Sequence, residues 1–371
     1  MTGLGVASAF GTGNLDTLRG GAPLPLPIAS FDASKYPTPP IVEVPAFDPA
    51  KTMGEKGLRS LDRLTKLLIV SARLALQDAA LKKDGQWIAL SPERVGVCAS
   101  NAYGSLEAIT ELDRVAVLED ARYINPSKFP NTVSNSASGY VSIWEDLRAL
   151  NVSVSNGNCG GLDAIACAEL LLANGRADAI LTGGGEAMSE ALYLAFDKLG
   201  VLTEKSRLGE GAAFLVLEPL EKATSRAARI LGTVRGYGTA YVAPKDDVTL
   251  LFGSDEALER AINSAFTDAG VASSDVDLVV SGLSGVERFD REERAAIERT
   301  LPGTPISAPK TLFGETLGAG GALGMAASLA FLDGTAPSAI VHGTPGPRIE
   351  RVLVTALGYY GNASAVLLQR S

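Results

Sequence analysis

The sequence predicts an α/β protein. Short strand-like runs alternate with long apolar helices along all 371 residues, the pattern of layered helices and sheets. The second half repeats the grammar of the first. With 46% hydrophobic residues and 20% charged, the chain can bury a large core in one or two domains.

The stretch LDRLTKLLIVSARLALQDAAL, Leu61 to Leu81, carries Leu61, Leu64, Leu68, Ala72 and Ala75 at helical spacing. RVGVCAS (Arg94 to Ser100), VSVSN (Val152 to Asn156) and AILTGGG (Ala179 to Gly185) read as short strands. Gly160 to Ala173 is polar only at Asp163 and Glu169, so it predicts a helix buried on nearly all sides. Asn174-Gly175 supplies the residues that tolerate a left-handed stop. In the second half, GETLGAGGALGMAASLAFLDG (Gly314 to Gly334) has the same glycine-rich start, Ala/Leu body and turn-like stop. Each half closes on a similar strand, GAAFLVLEPL (Gly211 to Leu220) and NASAVLLQRS (Asn362 to Ser371). The chain is therefore read as one unit of two like halves, 1–225 and 226–371, joined between Lys222 and Arg235.

The net charge of −9 argues against a nucleic-acid footprint, which needs a basic stripe. No secretory signal pattern and no run of about 18 apolar residues is present, so a cytoplasmic, membrane-free protein is expected. The three cysteines, Cys98, Cys159 and Cys167, form no CxxC pair, so no metal or redox cofactor is expected. Cys159 sits where a strand turns into a helix, the place of a nucleophile in several folds. A nucleophilic thiol needs a base, and the chain has one histidine, His342, in the Pro/Gly-rich run VHGTPGP that reads as a loop.

Several stretches, in order, resemble the β-ketoacyl synthases of the thiolase fold: TGLGVASAFG, FDASKYP, the Leu61 helix, NGRADAILTGGGEA, LGEGAAFLVLE, APKTLFGETLGAGGALG and GYYGNASAVLL. They cover nearly the whole chain, from Thr2 to Gln369. The resemblance implies a five-layered α-β-α-β-α arrangement. It also implies a cysteine thiolate at a helix amino-terminus, where the dipole lowers its pKa, and two histidines that stabilise a developing enolate. In the family, the cysteine precedes the glycine that ends its helix by seventeen positions; counted back from Gly175, that position is Asn158, one before Cys159. One histidine position, eight before Asp290, holds Gly282; the other, in the segment that keeps Lys310, holds Glu315. No catalytic group is retained on this count.

NCGGLDA is similar to the signature of chain length factors, the inactive partners of ketosynthases in type II polyketide synthases; Gly160, Gly161, Leu162, Asp163 and Ala164 match it. That likeness implies heterodimerisation with an active ketosynthase subunit and an acyl or polyketide chain growing into an interface tunnel. It further implies an acyl carrier protein that docks mainly on the partner. By the same likeness, Ser105, Ala108 and Leu112 line the tunnel; their i, i+3, i+7 spacing puts them on one helix face. Ile124 to Ile143 would cross the interface, with Phe129, Asn135 and Gly139 as contacts. The chain departs from active synthases in lacking about fifteen residues between Ala187 and Gly209. Its gating loop reads Gly358-Tyr359-Tyr360-Gly361, where a β-carbon at Tyr360 restricts positive φ and opposes opening. Two other readings stay open: an acyl-transferring enzyme that uses Cys159, and a homodimeric acyl-binding protein.

Overall fold

The computed structural model describes residues 1–19, 28–36, 41–203, 205–246, 251–335 and 339–371. Pro37, the last residue of FDASKYP, and Glu204, within the shortened stretch, lie outside them. The first sheet comprises β1 (Gly3–Ser8), β2 (Gly11–Gly13), β3 (Val95–Ser100), β4 (Asn151–Val154), β5 (Ala179–Glu186) and β6 (Gly211–Leu217), in the order β2-β1-β6-β5-β3-β4. The second comprises β7 (Thr233–Tyr241), β8 (Leu278–Val280), β9 (Ile306–Ser307), β10 (Ile340–His342), β11 (Arg351–Leu357) and β12 (Asn362–Gln369), in the order β7-β12-β11-β8-β9-β10.

Apart from the edge strands β2 and β10, the two sheets share one topology. In each, the first strand pairs antiparallel with the last, and the last antiparallel with the one before it. In the first sheet β5 then lies parallel to β3 and β3 to β4; in the second, β11 lies parallel to β8 and β8 to β9. Strand β2 adds to β1 at one edge, and β10 to β9 at the other. The repeat reaches the packing. Gly3 and Gly5 of β1 lie so close to α1 (Arg63–Asp78) that a β-carbon would come within 2.4 and 2.0 Å of the Ala75 and Ser71 carbonyl oxygens. Gly236 and Gly238 of β7 stand in the same relation to Ala265 and Ala261 of α6 (Asp255–Ala269), at 2.4 and 2.0 Å.

On the outer face of the first sheet lie α1 and α3 (Ser136–Glu145); on that of the second lie α6 and α7 (Glu287–Thr300). Between the sheets run α4 (Gly160–Ala173) and α8 (Gly320–Asp333), each touching strands of both. These are the five layers. The two middle helices cross at their first turns, where a β-carbon on Gly161 would sit 2.6 Å from the Ala322 nitrogen and one on Gly321 2.8 Å from the Leu162 nitrogen.

Some elements differ from the sequence reading. The Leu61–Leu81 helix is shorter, because Asp62 caps it by accepting from the Thr65 N–H, and Ala80 turns to φ 52° after its end. Gly175 alone takes the left-handed stop of α4, with φ 67°. Only α8 is buried nearly all round; α4 emerges at its carboxy-terminal end, where Glu169 is exposed and Leu170 is 64% exposed. His342 lies at the end of edge strand β10, not in a loop, and is exposed. Among the described residues no helix is long and apolar enough to cross a membrane.

Gly161→Ala and Gly321→Ala should each cost about 1–3 kcal/mol or prevent folding, because backbone atoms block the added carbon. Gly139→Ala is the control: it sits inside α3 with nothing within 4 Å, so it should be neutral or gain up to about 1 kcal/mol. Denaturant unfolding of the three variants checks both expectations.

Candidate functional site

The site lies where the middle helices begin. A tight turn, Gly157–Cys159, leads into α4, and its counterpart Leu317–Ala319 leads into α8. Gly157 opens the first at φ 55° and Leu317 the second at φ 46°. This geometry places Asn158 and Cys159 on opposite sides of the turn.

Cys159 faces the apolar core between the sheets. Its side chain has no exposed surface, and Sγ donates to the Ala356 carbonyl oxygen at 3.4 Å. Burial first, then the charge of Asp163, pushes its thiol pKa up. A thiol held neutral and away from solvent is poorly placed to act as a nucleophile.

Asn158, 4% exposed, faces a cluster of buried polar side chains. Its Nδ2 lies 3.4 Å from the Leu357 carbonyl oxygen, and its amide and the Ser284 hydroxyl both face the Tyr359 phenol. Glu315 is the hub. Lys310 Nζ donates to Oε1 at 2.6 Å, the Leu317 N–H donates to the same oxygen at 2.9 Å, and the Tyr359 hydroxyl donates to Oε2 at 2.8 Å. The Tyr359 ring stacks on Phe289 at 4.1 Å between centroids. Burial, then the Glu315 charge, raises the Tyr359 pKa, so the phenol stays a donor.

Gly282 is held from a neighbouring helix. Its N–H donates to Glu293 Oε1 at 2.8 Å, and the Thr355 hydroxyl donates to the same oxygen at 2.7 Å. Asp290 accepts from the Ser284 and Gly285 N–H groups, both at 3.0 Å. The loop therefore hangs on two carboxylates of α7. Thus Asn158, Glu315 and Lys310 come together with Tyr359, while Gly282 stands in the adjoining loop.

The Gly358–Gly361 loop is packed in two layers. Tyr359 plugs the interior. Tyr360, 47% exposed, lies 3.9 Å from where a Gly157 β-carbon would be, and its hydroxyl pairs with that of Tyr103 at 2.7 Å. Tyr360 does not take positive φ; that conformation falls on Gly361, at 83°.

The remaining predicted residues lie away from this cluster. Ser105 is the N-cap of α2 (Leu106–Val115), and Ala108 and Leu112 are buried on its inner face. Ala108 lines a cavity of about 350 Å³ whose lining is charged, with Arg59, Arg63, Lys66, Glu107 and Lys128; Ser105 and Leu112 lie outside that lining. Phe129 and Asn135 are exposed, and Gly139 has open space around it. They belong to a stretch whose Val117, Leu118, Tyr123, Phe129, Val133 and Ile143 are 51–80% exposed. Beside it runs β4, an edge strand of the first sheet.

Three site features escaped the sequence reading: Tyr359 as a plug, the α7 carboxylates as supports, and Glu186. Opposite charges on Lys310 and Glu315 within an otherwise Gly/Ala-rich buried stretch were the available signal for the first. Glu186 ends β5 fully buried and accepts from the Ala102, Tyr103 and Gly318 N–H groups at 2.9, 3.2 and 3.2 Å. Burial outweighs these bonds and pushes its pKa up from 4.5 to about 7.

Lys310→Met strands the Glu315 charge in the interior and should cost about 3–5 kcal/mol. Tyr359→Phe removes one donor and should cost about 1–3 kcal/mol. The double change Lys310→Met with Glu315→Leu should be milder than the sum of its parts in denaturant titrations. For Glu186, the folded state binds the proton more tightly than the unfolded chain. Its contribution is therefore complete below pH 4.5 and lost as pH rises through about 7. Relative to wild type, Glu186→Gln should gain roughly 3 kcal/mol between pH 4.5 and 8, read from stability against pH.

Comparison with known proteins agrees with this geometry. Residues 32–223 match the family described as beta-ketoacyl synthase, N-terminal domain, and residues 231–342 its C-terminal domain. The chain is 30% identical to 3-oxoacyl-(acyl-carrier-protein) synthase 2 of Coxiella burnetii, over 100% of this chain and 98% of that protein. It is 31% identical to the tetracenomycin polyketide synthase ketoacyl synthase beta subunit of Streptomyces glaucescens, with the same coverage. Among solved structures, the ishigamide ketosynthase/chain length factor superposes with a TM-score of 0.88 at 24% identity, over 100% of this chain and 98% of that one.

Proposed function

The chain belongs to the β-ketoacyl synthase family, and we propose that within it this protein is a non-catalytic chain length factor, a single unit of two halves (1–225 and 226–371) that pairs with an active ketosynthase. The observation that carries this reading is the sealed cluster at Asn158. The seat of the thiol holds an amide, the seat of one histidine holds a carboxylate already bonded to Lys310 and Tyr359, and the Tyr359 ring occupies the interior. Gly282 at the other histidine seat offers no side chain at all. On this reading the site offers no thiol nucleophile, no histidine base and no space for an acyl group. The ketosynthase beta subunit among its relatives supports the same reading.

The partner face is the exposed apolar stretch with Phe129, Asn135 and Gly139, together with edge strand β4. An apolar surface of this kind on a folded chain marks an interface, and an obligate one covers a few thousand Å². The free edge can accept a strand from the partner sheet. Behind this face, Ser105, Ala108 and Leu112 set the depth of the tunnel that receives the growing acyl chain. The acyl carrier protein delivers substrate chiefly to the partner, in the cytoplasm, and no cofactor takes part.

Co-expression with the cognate ketosynthase tests the pairing. The expected species is a one-to-one complex by native mass spectrometry. A stable homodimer with no affinity for any ketosynthase would favour the acyl-binding reading instead. In the reconstituted complex with acyl carrier protein, Ala108→Phe should shorten the product, and Cys159→Ala should leave turnover unchanged. Unaltered product length would sink the tunnel assignment, and an acyl thioester trapped on Cys159 would revive the enzyme reading.

A further inference from the structure

A second cavity, of about 430 Å³, lies at the far end of α4 from Asn158. Its apolar wall is built by Leu172, Leu217, Pro219, Leu220 and Ile230, and it opens where the two halves meet. Cavities of this size accept small organic ligands.

The internal repeat shows that this end of α4 is exceptional. Counting from the glycines at the crossing, Gly161 and Gly321, Glu169 corresponds to Leu329 and Leu170 to Ala330. Leu329 and Ala330 are completely buried, whereas Glu169 is exposed and Leu170 is 64% exposed. The repeat could bury both positions, and in α4 it does not. Instead a carboxylate stands in the cavity lining, on a helix whose other acid, Asp163, is fully engaged by Asn156, Tyr237 and Ser364.

Glu169 has no hydrogen-bond or ion-pair partner among the described residues. Partial burial of the carboxyl, whose residue is otherwise exposed, then the charge of nearby Asp268, pushes its pKa up. The second carboxylate of the lining, Glu218, is already satisfied: Arg226 holds both its oxygens, at 2.6 and 2.8 Å, and Thr2 donates to one. The Met1 amine, also in the lining, donates to the Gly232 carbonyl oxygen, and burial lowers its pKa to about 6. Of the two carboxylates in the lining, Glu169 is therefore the one left without a partner among the described residues.

We infer that this cavity is a binding site for a small amphipathic cation, an apolar body with a protonated amine that pairs with Glu169. The site is independent of the Asn158 cluster and of the chain-length reading.

4-Phenylbutylamine is a suitable probe, titrated into the full chain by calorimetry beside the neutral 4-phenylbutanol. The amine should bind roughly tenfold more tightly than the alcohol. Glu169→Gln, at an exposed position, should erase that difference. Leu220→Lys, which places a cation at the half-exposed mouth, should weaken the amine more than the alcohol. Ala223→Phe should abolish both by filling the cavity, and thermal unfolding shows whether it has folded. Equal binding of amine and alcohol to the wild type overturns the inference. So does an amine preference that survives Glu169→Gln, or binding that persists in both the Leu220→Lys and a folded Ala223→Phe chain.

Discussion

Everything at the centre of this molecule depends on the contact between Gly161 and Gly321. Two helices can meet at their first turns only if neither carries a β-carbon there, because each would strike the other's backbone nitrogen. The contact brings two helix amino-termini to one place, with their unpaired N–H groups and the positive ends of their dipoles. Such a place favours negative charge. In a relative with a cysteine in the Asn158 seat, it would favour a thiolate. Here Asn158 is neutral, and the N–H groups of the turn that starts α8 meet carboxylate oxygens: Glu315 accepts from Leu317 and Glu186 from Gly318. At Glu186 these bonds favour the charge, but burial outweighs them.

The pseudo-twofold repeat makes departures from it informative. The order of the five paired strands, the length of the middle helices and the glycine contacts on α1 and α6 all repeat. What does not repeat among the described residues is the exposed apolar stretch between Val117 and Ile143. The outer end of α4 does not repeat either. A chain built from two copies of one plan needs no such difference for its packing, and the proposed partner face and the inferred cavity lie at these two departures.

Most of the architecture was legible because it rests on local pattern. The Ala/Leu-rich cores of α4 and α8, the glycines before them and the strands that close each half are visible as runs of residue types. Even GGLDA explains itself once folded: Gly160 clears Ser100, Gly161 clears α8, Leu162 and Ala164 are fully buried, and Asp163 ties Asn156 to Tyr237 and Ser364. Two errors share a cause. The apolar count on α4 could not say which end runs out of the molecule, and the Pro/Gly-rich setting of His342 hid a three-residue edge strand. Both are decided by neighbours distant in sequence. Tyr359 illustrates the limit in the site itself: nothing near it in the chain announces that its hydroxyl finds a carboxylate 44 residues away.

On the proposed non-catalytic reading, that carboxylate also explains why the replacements hold together as a set. A buried Glu315 without Lys310 and the Tyr359 hydroxyl would be a charge with unsatisfied oxygens, which the interior does not tolerate. Tyr359 needs the space that an acyl group would need, and Tyr360 then closes the surface above it through Tyr103. Asn158 fits this filled site because an amide can sit beside the Leu357 carbonyl and the phenol without carrying charge. Each replacement makes sense only in the presence of the others. On that reading, a cysteine placed at Asn158 alone would set a thiol against the Tyr359 ring with no histidine in reach, so the cluster would have to be rebuilt as a whole before it could serve catalysis. A site bound so closely to its own packing contributes rigidity, which is what a wall requires and what a turning-over active site must give up in part.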